Sequence, residues 1–223
     1  MDIAYEVFAA MDRSRSMIQL ALDCLDGEMA LSIAKECLDF VDIIEIGTPC
    51  LKVNGIQLVK DIARLASGKQ LLVDLKTMDA GEYEVEPFYQ SGASICTVLG
   101  VASLETIAGA KKSANRHSKQ LQVDLINVGN KRETVKRVTE IGVDLIGIHT
   151  GIDSQAKGET PFADLKLIKD LNLPARISVA GGINAETASM ALELGADIVV
   201  IGAAIASADN PRSAAREIYE SLK

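Results

Sequence analysis

Three ionisable side chains fall within six residues of the segment LLVDLKTMDAG: Asp74, Lys76 and Asp79. On an extended chain, residues two apart share a face, so Asp74 and Lys76 can pair and keep each other charged. Asp79 lies beyond the apolar run, in a loop from which it can reach elsewhere. Asp23, Glu45, Asp124 and His149 occupy equivalent places, each closing a short apolar run. Glu45 and Asp74 offer the hard oxygens that Mg2+ takes, one or two carboxylates with water and substrate in the remaining positions. The competing role for Glu45 is a salt bridge to Lys76. His149, placed among acids, suits a general acid/base, against the plainer role of a satisfied core histidine. His117, in the polar NRHSK, reads as a surface residue. The small-residue stretches AGG (Ala180, Gly181, Gly182) and GA (Gly202, Ala203) allow backbone N–H groups to approach an anion such as phosphate.

These residues recur because the elements recur. MIQLALD, VDIIEIG, QLLVDLK, SICTVLG, KQLQVDL, DLIGIHT, ARISVAG and DIVVIG are eight runs rich in Val, Ile and Leu, as strands buried on both faces are. Helical segments separate them. GEMALSIAKECL carries a stripe of Met29, Ile33 and Cys37, Ser103 and an Asn before AETASMALELG are N-cap choices, Gly195 is a stop, and Pro211 opens the last helix. Eight strands alternating with eight helices specify an α/β fold, the (β/α)8 TIM barrel, over residues 17–223. An open doubly wound sheet is the alternative. Residues 1–16 are an extension, with a short helix expected through Ile3, Val7, Phe8 and Met11. In such a barrel the active site lies at the carboxyl ends of the strands, where every candidate above is found.

The chain has 223 residues, is 48% hydrophobic with only 4% aromatics, and carries a net charge of −8. A core without tryptophan suits a parallel sheet covered by helices. The acidic balance, without a basic run, argues against a nucleic-acid surface. No apolar run reaches the roughly 20 residues needed to span a membrane. Cys24, Cys37, Cys50 and Cys96 lack metal-binding spacing; with no signal sequence they are expected to be reduced thiols in the cytoplasm, Cys24 and Cys50 serving as packing residues near the mouth.

Taken in order, LALD, IEIGTP, VDLKTMDAG, TVLGV, VDLI, HTGIDSQAKG, VAGGI and SADNPRSAARE closely resemble the 3-hexulose-6-phosphate synthases, a family of the orotidine 5′-phosphate decarboxylase suprafamily. The resemblance runs from about Met17 to the C-terminus and implies a Mg2+-dependent aldol reaction of the ribulose monophosphate pathway of formaldehyde assimilation. D-ribulose 5-phosphate and formaldehyde would combine through a cis-enediolate. It implies Glu45 and Asp74 as metal ligands, His149 as the base at C1, and Lys76 as a donor to the same oxygens. Asp23 and Asp124 would position hydroxyls or water, and the AGG and GA backbones would take the phosphate. It further implies a homodimer in which Asp79 reaches the neighbouring site. GAA at 202–204 departs from the glycine or arginine often present after strand eight.

The sister family, 3-keto-L-gulonate-6-phosphate decarboxylase, typically has Glu, Arg and Thr at the positions of Asp124, Ile152 and Ala180; an aliphatic Ile152 favours the synthase. Orotidine 5′-phosphate decarboxylase itself, metal-free, leaves Glu45 without a role. A non-catalytic sugar-phosphate-binding barrel is the alternative from another class.

Overall fold

Each apolar run becomes a strand whose alternate side chains face opposite layers. In the computed structural model, which describes residues 16–223, these are β1 (Met17–Leu22), β2 (Ile43–Ile46), β3 (Gln70–Thr77), β4 (Ile95–Leu99), β5 (Gln120–Asp124), β6 (Leu145–His149), β7 (Arg176–Ala180) and β8 (Ile198–Ile201). All pairs are parallel, in sequence order, and β1 closes on β8 to complete the barrel. The helix expected through Ile3, Val7, Phe8 and Met11 lies outside the described residues.

Around the barrel run α1 (Gly27–Cys37), α2 (Thr48–Leu65), α3 (Gly81–Gln90), α4 (Leu104–Arg116), α5 (Lys131–Glu140), α6 (Ile152–Gln155), α7 (Phe162–Lys169), α8 (Ala185–Glu193), α9 (Ala203–Ala206) and α10 (Pro211–Ser221). The described residues thus hold two more α-helices than the alternation requires. The additions are the single-turn α6 and α9, sitting in the loops after β6 and β8. Ser103 caps α4 by accepting from Thr106 N–H, Asn184 makes a capping box on α8, and Pro211 opens α10. The stripe expected on α1 is rotated: Ala30, Ile33, Ala34 and Cys37 are buried, while Met29 is 52% exposed. Two small alanines let α1 approach the barrel more closely than Met29 would.

Ile18, Leu20 and Leu22 point outward into the layer beneath the helices. The opposite parity fills the barrel. Met17, Ile43, Leu72, Ile95, Leu145 and Ile198 form an apolar floor, each side chain contributing on the order of 2 kcal/mol by burial. Above the floor the interior turns polar, with Gln19, Thr97, Gln122 and Ser178 all buried. Gln122 crosses the barrel to accept from the Ser178 hydroxyl at 3.1 Å, and it can do so because residue 147 is glycine: a Cβ there would stand 2.8 Å from the Gln122 amide nitrogen. Among the described residues no helix is long and apolar enough to cross a membrane.

Candidate active site

The floor closes one end of the barrel and the strand-end acids crowd the other. Register places Ala21 opposite Glu45, and Glu45 opposite Leu72, so Asp23, Glu45 and Asp74 rise at the mouth on three successive strands. Between Val73 and Thr77 the β3 chain takes four steps where β4 takes two, from Cys96 to Val98. The surplus is absorbed partly at Lys76, a non-glycine residue in the left-handed region at φ +49°. There the Lys76 N–H donates to the Thr97 hydroxyl at 2.9 Å.

Lys76 Nζ lies 2.6 Å from Asp74 Oδ2 and 3.1 Å from Asp124 Oδ2, bridging β3 to β5. Burial opposes its charge, but the two carboxylates outweigh burial and raise its pKa above the usual lysine value. An ammonium has three N–H bonds; with two engaged, one remains for a ligand. Asp124 is almost fully buried. Burial resists its ionisation, yet hydrogen bonding to His149, the charges of His149 and Lys76, and the Ile126 N–H together hold its carboxyl below the ordinary range. An ionised carboxylate only accepts, so the 3.0 Å contact with His149 Nδ1 places the imidazole proton on Nδ1. With Nδ1–H committed to Asp124, the base form of the ring carries its lone pair on Nε2. Asp74, Lys76, Asp124 and His149 therefore form one connected chain across β3, β5 and β6.

Glu45 does not join it. Among the described residues it has no ion pair with Lys76; its Oε2 accepts from Gln19 Nε2 at 2.6 Å. Burial, then the charge of Asp74, push its carboxyl up to about 8, and the nearby Asp23 charge adds to this. Asp23 is raised too, by burial first and then by Asp74. Glu45 and Asp23 are thus both held back from ionising beside a third carboxylate, Asp74, an arrangement that a cation would relieve. The donors suit Mg2+. Asp74 Oδ1 takes one hydrogen bond, from Thr97 at 2.7 Å, which leaves a lone pair, and Glu45 supplies a second hard oxygen. Among the described residues no three His, Cys, Asp or Glu side chains form a closed metal cage. A cage is what a structural zinc needs; an ion that retains water and substrate oxygens does not.

Asp79 stands apart from the cluster. It is exposed on the β3–α3 turn, where its carboxylate accepts from Ala80 N–H. Ala180 ends β7, and Gly181 and Gly182 follow it at the same mouth. Gly181 has φ +112°, and a Cβ there would lie 2.5 Å from the Thr150 carbonyl oxygen, so the turn requires glycine. Gly202 follows β8 beside Asp23, and Ala203 opens α9. The hollow of about 570 Å3 between α2 and α3, lined by Gln57, Lys60, Arg64 and Gln90, holds none of these residues and is an open surface groove.

Sequence reasoning does not single out Gln19, Thr48 or Thr97, yet all three hydrogen-bond candidate carboxylates; Thr48 Oγ1 lies 2.8 Å from Asp74 Oδ2. The available signal is parity, since Gln19 and Thr97 are polar residues at inward positions of otherwise apolar strands. His117, expected at the surface, is half-buried between α3 and α4. It bonds Glu86 at 2.7 Å and stacks on Tyr89. Cys24 and Cys50 are free thiols, and burial pushes Cys50 up to about 11.

The family described as Orotidine 5′-phosphate decarboxylase / HUMPS family matches residues 16–218. A 3-hexulose-6-phosphate synthase from Methylomonas aminofaciens is 50% identical over 203 residues, covering 91% of this chain and 97% of that protein. The crystal structure of 3-hexulose-6-phosphate synthase from Salmonella typhimurium superposes with a TM-score of 0.87 at 39% identity, covering 92% of this chain and 98% of that one. A crystal structure of KGPDC from Streptococcus mutans also superposes at 0.87, with 26% identity over 93% of this chain and 97% of that one.

Proposed function

The chain belongs to the orotidine 5′-phosphate decarboxylase / HUMPS family, and from that premise we propose that it is a 3-hexulose-6-phosphate synthase. It joins D-ribulose 5-phosphate to formaldehyde to give D-arabino-hex-3-ulose 6-phosphate. The observation that carries this reading is the Asp74–Lys76–Asp124–His149 chain at the mouth of a barrel half identical to such a synthase.

His149 Nε2 removes a proton from C1 of the sugar, leaving a cis-enediolate. Asp124 holds the ring by Nδ1 and stabilises the imidazolium that forms. Among the described residues Asp124 accepts from Lys76, His149 and the Ile126 N–H, so it orients these groups, and the open lone pair on its Oδ1 can also take a sugar hydroxyl or water. The third N–H of Lys76 donates to the developing oxyanion. C1 then attacks the formaldehyde carbon, and the imidazolium returns its proton to the new alkoxide oxygen. Glu45 and Asp74 would hold Mg2+, which would supply Lewis-acid stabilisation of the negative charge that develops on the sugar oxygens. Asp23 orients a sugar hydroxyl, and the backbone at Ala180, Gly181, Gly182, Gly202 and Ala203 takes the phosphate.

Asp79 completes the site of a second subunit in a homodimer. Its exposure beside Met78 (53% exposed) and Tyr83 (84%) supports this reading, because two large apolar side chains on one rim suit a covering partner. Four free thiols fit a reducing cytoplasm. Ile152, aliphatic and 77% exposed, offers no charge to guide a proton to the enediolate, which favours aldol addition over decarboxylation. The test is consumption of D-ribulose 5-phosphate that requires formaldehyde and is abolished by EDTA. Release of CO2 from 3-keto-L-gulonate 6-phosphate at a higher kcat/KM would reverse the assignment.

A further inference from the structure

We propose that Thr97, in the middle of β4, is a positioning residue that sets both members of the Asp74–Lys76 pair through one hydroxyl. The inference rests on the synthase reading for its activity measurements, but its geometric part does not.

Thr97 is 1% exposed, and its hydroxyl has two partners. Lys76 N–H, which can only donate, points to Oγ1 at 2.9 Å. The single hydroxyl proton is therefore free to go to Asp74 Oδ1, 2.7 Å away. A directed line results: Lys76 N–H to Thr97 Oγ1, then Thr97 O–H to Asp74 Oδ1. One end fixes the backbone of the lysine where it adopts φ +49°, a conformation that lysine seldom takes and that the surroundings must enforce. The other end fixes the plane of the Asp74 carboxylate, so that Oδ2 meets both Lys76 Nζ at 2.6 Å and the Thr48 hydroxyl at 2.8 Å. The register shift between β3 and β4 lies at this point, so the hydroxyl accepts an N–H for which the interrupted ladder offers no carbonyl. No purely apolar residue can do either job. Serine can do both.

The requirement separates two substitutions that packing would rank the other way. Thr97→Val preserves shape and removes the hydroxyl; Thr97→Ser keeps the hydroxyl and removes a methyl group. If the hydroxyl positions the pair, Thr97→Val lowers kcat/KM by about 10- to 100-fold, mostly through kcat, while Thr97→Ser stays within about 3-fold of the parent. Amide hydrogen exchange at Lys76 supplies a readout independent of substrate. It is expected to quicken at least about 10-fold in Thr97→Val relative to flanking β3 amides, and to stay near the parent rate in Thr97→Ser. The reverse order, with the valine variant near parent activity and the serine variant impaired, would overturn the proposal. So would unchanged Lys76 protection in Thr97→Val. Should the valine variant fail to fold, the serine variant decides alone: retained activity and protection support the proposal, and loss of either refutes it. Should the parent lack synthase activity, exchange at Lys76 still tests the hydroxyl link while the functional reading fails separately.

Discussion

Replacing Lys76 by methionine keeps most of its aliphatic stem and deletes the one cation shared by two buried acids. Its Nζ stands 2.6 Å from Asp74 and 3.1 Å from Asp124, whose side chains are 10% and 4% exposed. Removing one partner of a buried ion pair costs about 3–5 kcal/mol, because a charge is left without compensation. Lys76 is itself 24% exposed, so water entering from the mouth offsets part of this, and the expected loss is about 3 kcal/mol. Urea unfolding without added metal at about pH 7.5 measures it, with an unchanged m-value showing that the native state stays compact. The loss should shrink on acidification. Lysine helps hold Asp124 below its ordinary range; without it that carboxyl takes up a proton more readily in the folded chain, so the variant recovers relative stability as pH falls through the ordinary value near 3.8. Adding Asp124→Asn should restore part of the stability and none of the activity. A loss below about 1 kcal/mol, a gap indifferent to pH, or a double variant no firmer than the single one would refute the reasoning.

Glu45, pushed up to about 8, is a carboxyl whose ionisation opposes folding: between its unfolded value near 4.5 and about 8 the native state holds the extra proton, so stability falls as pH rises. Metal-free Glu45→Gln should therefore be the more stable chain at about pH 8 and lose that advantage near pH 4.5, as thermal unfolding across pH will show. Glu86 behaves oppositely. Hydrogen bonds from Ser113 and then His117 lower it to about 2, so its contribution is complete above the unfolded value near 4.5 and lost as pH falls toward about 2. The melting temperatures of parent and Glu86→Gln should converge over that interval. Gly181→Ala places a Cβ against the Thr150 carbonyl at positive φ and should cost about 2 kcal/mol or more, while raising KM for the sugar phosphate more than it lowers kcat.

The barrel was legible because its strands are mostly apolar runs, and because Gly, Asn, Ser and Pro punctuate the helices between them. Asp74 and Lys76 could be paired from parity alone, yet the pairing observed depends on a register shift and a left-handed lysine that no periodicity signals. Asp124 and His149 could both be placed at the mouth. Their bond could not, since it depends on how β5 and β6 are set side by side. Thr97 and Gln19 passed as ordinary strand residues; parity could have turned them inward, but only the closed barrel shows which carboxylates they meet. Met29 misled because periodicity gives a helix face to within a residue, and the small alanines beside it decided which edge of that face would pack. His117 misled because its polar neighbours hide the α3–α4 joint, which forms only when Glu86 and Tyr89 arrive from another helix.

The proposed function centres on abstraction of a C1 proton by His149, held by Asp124. The direct measurement is exchange of that hydrogen for deuterium when D-ribulose 5-phosphate is incubated with the protein in D2O, with and without Mg2+ and formaldehyde. Stereospecific washout of one C1 hydrogen, needing the metal and slowed about 100-fold or more in His149→Gln, is the expected result. Exchange at the parent rate in His149→Gln, or formaldehyde consumption by a protein that never exchanges C1, would contradict the account.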